Sequence, residues 1–364
     1  MRKRSHVVLI THSPLGKRPC DVQYIRWAVR NRPGITYTIL ANGIHQDLKD
    51  PQIQTYDLSS RFLRKCQLID QLIFTFRAIA RIRKITAPDL LIFTYYKFVF
   101  LFRFWFPRDK TLLDIRTGSV GKRLISFKNR ILRFNAGFFK NISINSINLG
   151  EKLIPKKPYH VIPQGGMYLM GESDEKKSPK IDFGFTLLYV GTFTERNLIK
   201  TVRAFHRFLA EVKERAHFYL IGDGEDYQPI RKYITDHRLG NRIHLTGRRD
   251  ISQCRDLFSR AHFGLSYIPM VPKFDDQQPT KTYDYLVNGL PVIGTATREN
   301  RAVLHPDNSV LIDDDEDSIF AGLQVAWRKK DHFQMIDLVQ NHARFRWEEV
   351  TREYYLPLID QLLK

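Results

Sequence analysis

The chain has few cysteines and lacks two common nucleotide-binding motifs. Among its 364 residues only Cys20, Cys66 and Cys254 are cysteines. Their odd number and wide spacing exclude a disulfide framework and a zinc site built on cysteine pairs, and they indicate a reducing compartment. Neither G-x-G-x-x-G nor G-x-x-x-x-G-K-[ST] occurs in the sequence. Dinucleotide-dependent hydride transfer and P-loop NTP hydrolysis therefore lose support.

Long apolar runs are also missing. The basic start of the chain is followed by a short apolar run, residues 7–11, which is too short for the core of a secretory signal. Residues 91–106 are rich in aromatics but contain Lys97 and Arg103, so this segment is too short and too charged to cross a bilayer, which takes about 20 apolar residues. The sequence predicts a cytoplasmic protein.

Acidic residues are scarce in one part of the chain only. The net charge of the whole chain is +20. Residues 1–150 carry 27 Lys and Arg against 8 Asp and Glu, or +19, whereas residues 151–364 carry 31 against 30, or +1. A basic surface of this kind suits either nucleic acid or an anionic membrane leaflet.

Residues 60–84 favour the membrane as the partner of this basic half. The segment interleaves seven Arg and Lys with Phe, Leu and Ile, which is typical of an interfacial helix. The same pattern fits a core helix with a solvated basic face, and the two interpretations are compatible. The chain shows no recognised nucleic-acid module. We therefore predict peripheral binding to the cytoplasmic face of an anionic membrane, and no nucleic acid.

Short apolar strands alternate with helical patterns along the whole chain. In residues 1–170 the predicted strands are 6–11, 37–40, 90–94, 111–115, 143–147 and 159–162, and the predicted helices are 21–29, 60–84 and 122–139. In the second half the predicted strands are 186–189, 217–221, 243–245, 263–267, 291–295 and 310–312, and the predicted helices are 198–213, 227–237, 251–261, one from about Pro279, and one from Ser318. This alternation predicts an α/β protein with two doubly wound, Rossmann-like domains, joined by the polar stretch 171–180.

The segment FDDQQPTKTYDYLVNGLPVIGT, residues 274–295, sets two carboxylates around a predicted helix start. Pro279 and Thr280 suit the first turn, with the Thr280 hydroxyl capping free amides, and Asp276 and Asp284 lie eight residues apart. A helix N-terminus together with Lys281 can bind phosphate, and a nearby carboxylate can accept from ribose hydroxyls. Acidic residues at this place can also serve the helix dipole alone.

Two other loops follow predicted strands of the same sheet. Gly191-Thr-Phe-Thr-Glu-Arg-Asn197 offers a glycine that permits close approach and Arg196, which could bind two phosphate oxygens or be an ordinary surface residue. Thr246-Gly-Arg-Arg249 offers backbone groups that could contact a base, with Arg248 either a ligand contact or a solvated charge. Ligands of such sheets lie beyond the carboxyl ends of the strands.

Taken together, these segments resemble a known family. GTFTERN (191–197), YLIGDGE (219–225), HLTG (244–247), GLSYIP (264–269) and PTKTYDYLVNGLPVIGT (279–295) are similar to the C-terminal domain of glycosyltransferase family 4 (group 1), the retaining GT-B enzymes. The resemblance implies two Rossmann-like domains facing across a cleft. It implies an N-terminal acceptor-binding domain over 1–170, a nucleotide-sugar-binding domain over 181–345, and a C-terminal helix over 346–364 that returns to the first domain.

The resemblance also assigns roles in the donor half. Asp276 and Asp284 take the positions of two family glutamates, which contact the donor sugar and the ribose respectively. The family's arginine after the strand glycine is replaced by Thr192, so Arg196 and Lys281 are expected to hold the diphosphate, with Lys200 as a further candidate. Gly191, Thr192, Thr280, Gly247 and Arg248 complete the predicted nucleotide site.

In the first half the resemblance extends only to the outline. Gly16 belongs to a glycine-containing loop after the first strand. Many members have an active-site histidine after a central strand, where this chain has Asp114 and Arg116. These two residues, Gly16 and His12 are therefore the predicted acceptor-side residues, although a lone histidine at a strand end is commonly structural.

The implied activity is transfer of a hexose from a UDP- or GDP-sugar to a glycan or polyprenyl-diphosphate-linked acceptor, with retention, in cell-surface polysaccharide assembly. The family implies no metal and no cofactor besides the donor substrate. The alternatives are a GT-B scaffold that binds without catalysis and a nucleic-acid-binding protein.

Overall fold

The computed structural model describes residues 4–46, 48–60, 66–85, 87–118, 125–170, 184–212 and 215–364. The chain divides into two compact units. Unit 1 is Met1–Pro163 with Trp347–Lys364, and unit 2 is Gln164–Arg346. The predicted linker, residues 171–180, lies outside the described residues.

Unit 1 contains a sheet of seven parallel strands in the order β3-β2-β1-β4-β5-β6-β7. The strands are β1 Ser5–Thr11, β2 Ile35–Ala41, β3 Ile53–Asp57, β4 Leu90–Thr94, β5 Thr111–Ile115, β6 Asn141–Ile144 and β7 His160–Val161. The central strands β4 and β5 are buried along their whole length, as continuous apolar runs in a parallel sheet require.

Helices complete unit 1. They are α1 Pro19–Asn31, α2 Gln67–Ile82, a 3-10 helix Val99–Phe104, α3 Ile125–Gly137 and α4 Ile147–Leu153. The C-terminal part adds α12 Trp347–Val350, a π-helical turn Thr351–Tyr355 and α13 Leu356–Leu362. The Tyr355 ring stacks on Tyr24 of α1 with ring centroids 4.9 Å apart, and this contact fastens the C-terminal segment to the rest of unit 1.

Unit 2 contains a sheet of six parallel strands in the order β10-β9-β8-β11-β12-β13. The strands are β8 Phe185–Val190, β9 Ala216–Ile221, β10 Ile243–Leu245, β11 Phe263–Ser266, β12 Val292–Thr295 and β13 Ser309–Ile312. The chain order in this sheet is 3-2-1-4-5-6, the doubly wound order of a Rossmann-like domain.

The helices of unit 2 flank this sheet. They are α5 Ile199–Glu211, α6 Tyr227–Asp236, a 3-10 helix Ile251–Cys254, α7 Arg255–Arg260, α8 Thr280–Val287, α9 Arg298–Arg301, α10 Glu316–Arg328, α11 Met335–Asn341 and a 3-10 helix Ala343–Phe345. The predicted α/β class and the two Rossmann-like sheets are confirmed.

Some predicted boundaries were wrong for local reasons. The strand predicted for 143–147 ends at Ile144, because Ser146 caps α4 by accepting a hydrogen bond from the Leu149 amide at 3.2 Å. The edge strand β3 was missed, because only Ile53 of its five residues is buried and its apolar signal is weak. The helix predicted for 60–84 is observed as Gln67–Ile82, and residues 61–65 lie outside the described part. Within the described residues, no helix has the length and apolar character needed to cross a membrane.

Candidate functional site

The strand order of unit 2 creates a switch point beside β8. This strand lies between β9 and β11, and all three run parallel. The loops after β8 and β11 therefore leave the same edge of the sheet, where ligands of doubly wound domains bind. The first loop contains residues 191–197, and the second leads to α8, which begins at Thr280.

Two cations meet at this edge around one tyrosine. Lys281 Nζ donates to the Tyr189 hydroxyl at 2.9 Å and lies 4.1 Å from the centre of its ring. Arg196 lies close enough for its charge to act on the Tyr189 hydroxyl, and its guanidinium lies 4.3 Å from the centre of the Phe274 ring. Burial, together with the positive charge of Arg196, lowers the pKa of Lys281 well below its ordinary value. The site thus holds two like charges close together at a cost.

Neither cation is ion-paired with an acidic side chain, although the charge of Arg196 acts on Asp226 at longer range. Across the described residues, no salt bridge joins Arg196 or Lys281 to a carboxylate. The Nε of Arg196 is buried and has no hydrogen-bond partner among those residues. A buried donor of this kind needs an explanation, and a bound anion supplies one. The structure thus brings Arg196 and Lys281 close together, and their role in binding a diphosphate stays a prediction.

Gly191 opens space for a ligand beside Lys281. A Cβ at this position would lie 3.3 Å from Lys281 Cε, 3.6 Å from its Nζ and 3.5 Å from the Tyr189 hydroxyl. Any larger side chain would therefore occupy the volume next to the ammonium group. Thr192 follows on the exposed side; its carbonyl accepts from the Tyr189 hydroxyl at 2.7 Å.

Two non-glycine residues with positive φ hold Arg196 in its loop. Glu195 and Asn197, on either side of it, both have φ of 54°. Such conformations cost free energy and recur at binding sites. The turn is fastened by the ion pair between Glu195 and Lys273, whose Oε2–Nζ distance is 2.8 Å, and by the Leu198 amide, which donates to Asp226 at 2.9 Å.

The first turn of α8 differs from the prediction in one detail. Pro279 occupies the N-cap position and no side chain caps the helix, so the expected capping role of Thr280 was wrong. The Thr280 hydroxyl instead accepts from the Gln164 amide nitrogen at 3.2 Å. The competing partner is a residue far away in sequence, which local pattern analysis could not foresee.

Asp284 is buried one turn into α8. Its Oδ1 accepts from the Met167 amide at 2.7 Å. Burial raises the pKa of this carboxyl to about 7, against the opposing effect of the Met167 hydrogen bond. A carboxylate has about four acceptor positions, so one hydrogen bond leaves acceptor capacity for ribose hydroxyls. Its role as a ribose ligand stays a prediction.

Asp276 is also buried and bound to a cation. Its Oδ1 accepts from Arg298 Nη1 at 3.0 Å, and the Arg298 side chain is 58% exposed. The neighbouring Asp275 accepts from the Arg298 amide at 2.8 Å, which fixes the loop against α9. No local sequence pattern indicated Arg298 as the partner of Asp276.

Gly247 and Arg248 lie after β10, at the same edge of the sheet. Gly247 has φ of 72°, and its carbonyl accepts from the Gly222 amide at 3.0 Å. Arg248 is exposed. Lys200, the weaker phosphate candidate, is committed elsewhere, because its Nζ lies 3.1 Å from Asp314 Oδ1. Within the described ranges, no group of three His, Cys, Asp or Glu side chains is placed to hold a metal ion.

In unit 1, His12 follows β1 at the corresponding switch point. Its Nε2 lies 3.0 Å from Asp70 Oδ2 and 3.0 Å from the Asn42 amide nitrogen, which itself donates to Asp70 at 2.8 Å. The His12 ring packs against Phe74 and Tyr96. Burial lowers the pKa of His12, although Asp70 acts in the opposite direction. Asp70 was not predicted as a partner of His12. The one sequence feature that could have indicated it is that Asp70 is the single acidic residue in the basic segment 60–84.

Asp114 and Arg116 belong to an internal ion-pair network. Arg116 donates from Nε to Asp114 at 2.8 Å, and from Nη1 to the Tyr24 hydroxyl at 3.0 Å and the Ile162 carbonyl at 2.7 Å. Asp114 also accepts from Ser143 at 2.7 Å. These contacts show a structural role for both side chains, and a contact with an acceptor stays a prediction.

Gly16, the remaining acceptor-side candidate, has φ of 91°. A Cβ there would lie 2.6 Å from Gln46 Cβ. Both the backbone conformation and the close packing explain why this position is glycine.

Two parallel sheets with flanking helices, one in each unit, define the class of the molecule as the GT-B glycosyltransferase fold. The family model described as "Glycosyl transferases group 1" matches residues 184–327, which lie within unit 2. No curated protein matches the sequence.

Solved structures agree on the fold along the whole chain. Sucrose-phosphate synthase from Thermosynechococcus elongatus superposes with a TM-score of 0.77 at 16% identity, covering 99% of both chains. HepE of Anabaena in complex with UDP and glucose gives 0.74 at 13% identity, covering 97% of this chain and 99% of the other. WaaG, a glycosyltransferase involved in lipopolysaccharide biosynthesis, gives 0.65 at 14% identity, covering 97% and 98%. Identities this low show the fold alone.

Proposed function

We propose that this protein transfers a hexose from a nucleotide-diphosphate sugar to a glycan or lipid-linked acceptor, with retention of the anomeric configuration. The observation that carries the proposal is the pair of cations Arg196 and Lys281 at the switch point of a group 1 domain, with no carboxylate paired to either among the described residues. Two adjacent positive charges without acidic partners match a diphosphate, which brings the missing negative charge.

The proposed chemistry uses these charges on the leaving group. The bond between the sugar's anomeric carbon and the diphosphate oxygen breaks while a bond to the acceptor oxygen forms on the same face. The acceptor's proton passes to the departing phosphate oxygen, so no side-chain base is needed. Arg196, Lys281 and the first amides of α8 stabilise the negative charge that grows on the diphosphate. In this scheme side chains neutralise the leaving group, without a metal or another cofactor.

The remaining contacts follow from position. Asp284 is proposed to accept from the ribose hydroxyls and Asp276 from the donor sugar, with Gly191, Thr192 and Thr280 next to the phosphates. The loop at Gly247 and Arg248 is proposed to contact the base. The structure of HepE in complex with UDP-glucose supports a UDP-sugar as the first donor to test.

A membrane setting is the second part of the proposal. Residues 1–150, which form most of unit 1, carry a charge of +19. WaaG is named for its involvement in lipopolysaccharide biosynthesis, which supports a lipid-linked acceptor in cell-surface polysaccharide assembly. We place the protein in the cytoplasm, peripherally bound to the membrane face where such acceptors are exposed.

Thermal unfolding with UDP, GDP, UDP-glucose and GDP-mannose tests donor binding directly. A ligand present at about 100 times its Kd stabilises the folded state by about 2.7 kcal/mol and raises the Tm. We expect one nucleotide series to raise the Tm of the wild type and to lose this effect in Arg196→Gln and Lys281→Met. Arg231→Gln, on the exposed face of α6, is the matched control and should respond as the wild type does.

Turnover is measured separately, by release of the nucleoside diphosphate with lipid-linked acceptors, and the anomer of the product by NMR. We expect Arg196→Gln to lower kcat/KM by about 100-fold or more, because it removes a donor to the developing charge. Donor binding without turnover would support a binding scaffold instead. No response to any nucleotide would contradict the proposed site.

A further inference from the structure

Helix α2 of unit 1 is apolar on two sides. Its buried side packs Phe74, Ala78 and Ile79 into the core. On the solvent side Leu68, Ile69 and Phe76 are 48%, 47% and 50% exposed. A helix with apolar side chains on both sides has one side that still needs a partner.

Aromatic side chains extend this exposed area to neighbouring elements. The Phe76 ring lies 6.4 Å from Trp105, whose ring lies 6.1 Å from Phe104, measured between ring centroids. Phe104 is 70% exposed. From the same 3-10 helix, Phe100 contacts Phe134 of α3 at 5.6 Å. We call Phe76, Phe100, Phe104, Trp105 and Phe134 the aromatic surface.

The charge around the aromatic surface is mainly positive, although exposed Asp109 lies near Arg103. The three elements that carry it, α2, the 3-10 helix and α3, contain six Lys and Arg: Arg77, Arg81, Arg103, Lys128, Arg130 and Arg133. Their single acidic residue is Asp70, which is buried and hydrogen-bonded to His12 and Asn42. The Arg83 guanidinium, just after α2, lies 5.9 Å from the centre of the Trp105 ring.

Helix α3 repeats this combination along one face. Phe127, Arg130 and Phe134 are all exposed and lie three and four residues apart, so they project to one side of the helix. Exposed aromatics between arginines are typical of segments that lie in a membrane interface, where rings occupy the headgroup level and cations bind lipid phosphates.

We propose that the aromatic surface of unit 1 docks on an anionic lipid bilayer, with Phe104 and Trp105 inserted at the headgroup level. This inference rests on the membrane part of the proposed function and specifies the residues that make the contact. A second copy of the chain is a poorer occupant, because it would bring two basic surfaces together. Single-stranded nucleic acid would stack on open ring faces, whereas the rings of the aromatic surface pack edge-to-face on one another, and α2 also exposes the aliphatic Leu68 and Ile69.

Co-sedimentation with vesicles tests the proposal on the full chain. The wild type should bind vesicles that contain phosphatidylglycerol, should not bind phosphatidylcholine alone, and should lose binding as salt rises. Phe104→Ser should weaken binding about tenfold, because an inserted ring returns to water. Arg130→Glu should weaken it at least about fivefold, since one basic residue near an anionic surface contributes about that factor.

Matched controls carry the same chemical changes on unit 2. Val325→Ser removes an apolar side chain of α10 that is 36% exposed, and Arg231→Glu reverses an exposed charge on α6. Both controls should bind vesicles as the wild type does. Equal losses in the controls and in the two surface variants, or no wild-type binding to phosphatidylglycerol, would overturn the proposal.

Three further measurements separate this inference from its alternatives. The Tm shift with UDP or GDP should stay unchanged in Phe104→Ser and Arg130→Glu. If these two variants lose vesicle binding but still bind the nucleotide, the result supports docking. If the wild type binds UDP or GDP but does not bind vesicles, docking is overturned and the proposed donor site is unaffected. If sedimentation velocity shows a dimer that Phe104→Ser dissociates, the surface binds a second copy of the chain. If the protein binds an oligonucleotide but not vesicles, and Phe104→Ser abolishes that binding, the surface binds nucleic acid. Either result overturns the proposal.

Discussion

Each unit places two cationic side chains near the carboxyl ends of its sheet, but only unit 1 neutralises them. There Arg116 bonds Asp114 at 2.8 Å, and Arg18 lies 3.6 Å from both Asp21 and Asp114. In unit 2, Arg196 and Lys281 share Tyr189, and across the described residues neither has a carboxylate partner. The same residue types thus form an internal support in one unit and an open cationic site in the other.

The pKa shifts of Arg116 and Lys281 run in opposite directions. Burial disfavours the charge of Arg116, but Asp114, Tyr24 and Cys20 together outweigh burial and raise the pKa of Arg116. For Lys281, burial and the neighbouring Arg196 act together and lower its pKa. The charge of Arg116 is therefore stabilised by side chains of unit 1 itself, although Arg18 Nη2 in the same network is buried without a hydrogen-bond partner among the described residues. In unit 2 neither cation is ion-paired with a carboxylate, so a bound anion would stabilise both. This difference distinguishes structural cations from ligand-binding ones, and it can be tested by substituting Arg116 in unit 1 or Arg196 in unit 2.

The largest expected effect on stability is in unit 1. Arg116→Gln leaves Asp114 buried with a poorer partner, so the free energy of unfolding should fall by about 3–5 kcal/mol. Urea unfolding followed by tryptophan fluorescence measures the change. Arg32→Gln is the control, because Arg32 pairs with Asp360 on the surface with side chains 53% and 41% exposed, and its loss should cost less than about 1 kcal/mol.

Unit 2 should show the reverse for the matching change. Arg196→Gln should leave the free energy of unfolding within about 1 kcal/mol of the wild type, because it breaks no ion pair, while donor binding is lost. A large loss of stability in Arg196→Gln, or a small one in Arg116→Gln, would remove the distinction between the two pairs.

The sequence predicted the unit 2 pair and missed the unit 1 network for a physical reason. Arg196 and Lys281 lie in segments whose glycines, strand ends and helix start are local signals. Arg116 depends on Tyr24 and Ile162, which are distant along the chain and carry no such signal. Tyr189 was missed because a strand residue gives no hint that its hydroxyl leaves the core.

The fold was predictable to a similar extent. Continuous apolar runs such as β4 and β5 identify buried parallel strands, whereas β3, with one buried residue, gives too weak a pattern. The alternation of strands and helices was enough to predict both sheets. The hydrogen-bond partners of individual side chains, such as those of Thr280 and Asp276, could not be predicted, because they come from residues that are distant along the chain.

Asp284 of unit 2 differs from Asp114 of unit 1 in the same way, because its carboxyl is buried without a cationic partner in the described residues. Its folded-state pKa is about 7 against an ordinary value of 3.8. Between these values the folded state binds more protons than the unfolded state, so this group makes stability fall as pH rises from about 4 to 7. Asp284→Asn should remove that slope and be more stable than the wild type by about 4 kcal/mol at pH 8, with little difference at pH 4.

Donor binding should depend on pH with the opposite sign. Ribose hydroxyls donate to the ionised carboxylate, so nucleotide affinity should increase as pH rises through about 7. Calorimetric titration of UDP or GDP between pH 5.5 and 9 measures this profile; these limits are about one and a half to two units on either side of that pKa. In Asp284→Asn the rise through pH 7 should vanish and the affinity should be lower. An unchanged rise would show that another group controls it.

The smallest expected effect concerns Arg298, the exposed partner of buried Asp276. Removing Arg298 should cost less than about 1 kcal/mol of stability, because its side chain is 58% exposed and screened by water. Since this pair fixes the orientation of the Asp276 carboxylate, Arg298→Gln should weaken binding of the nucleotide-sugar about threefold and leave binding of the bare nucleoside diphosphate unchanged. The ratio of the two Kd values isolates the sugar contact. An equal change in both Kd values would place Asp276 away from the sugar and would leave Asp284 as the carboxylate of this segment that contacts the donor.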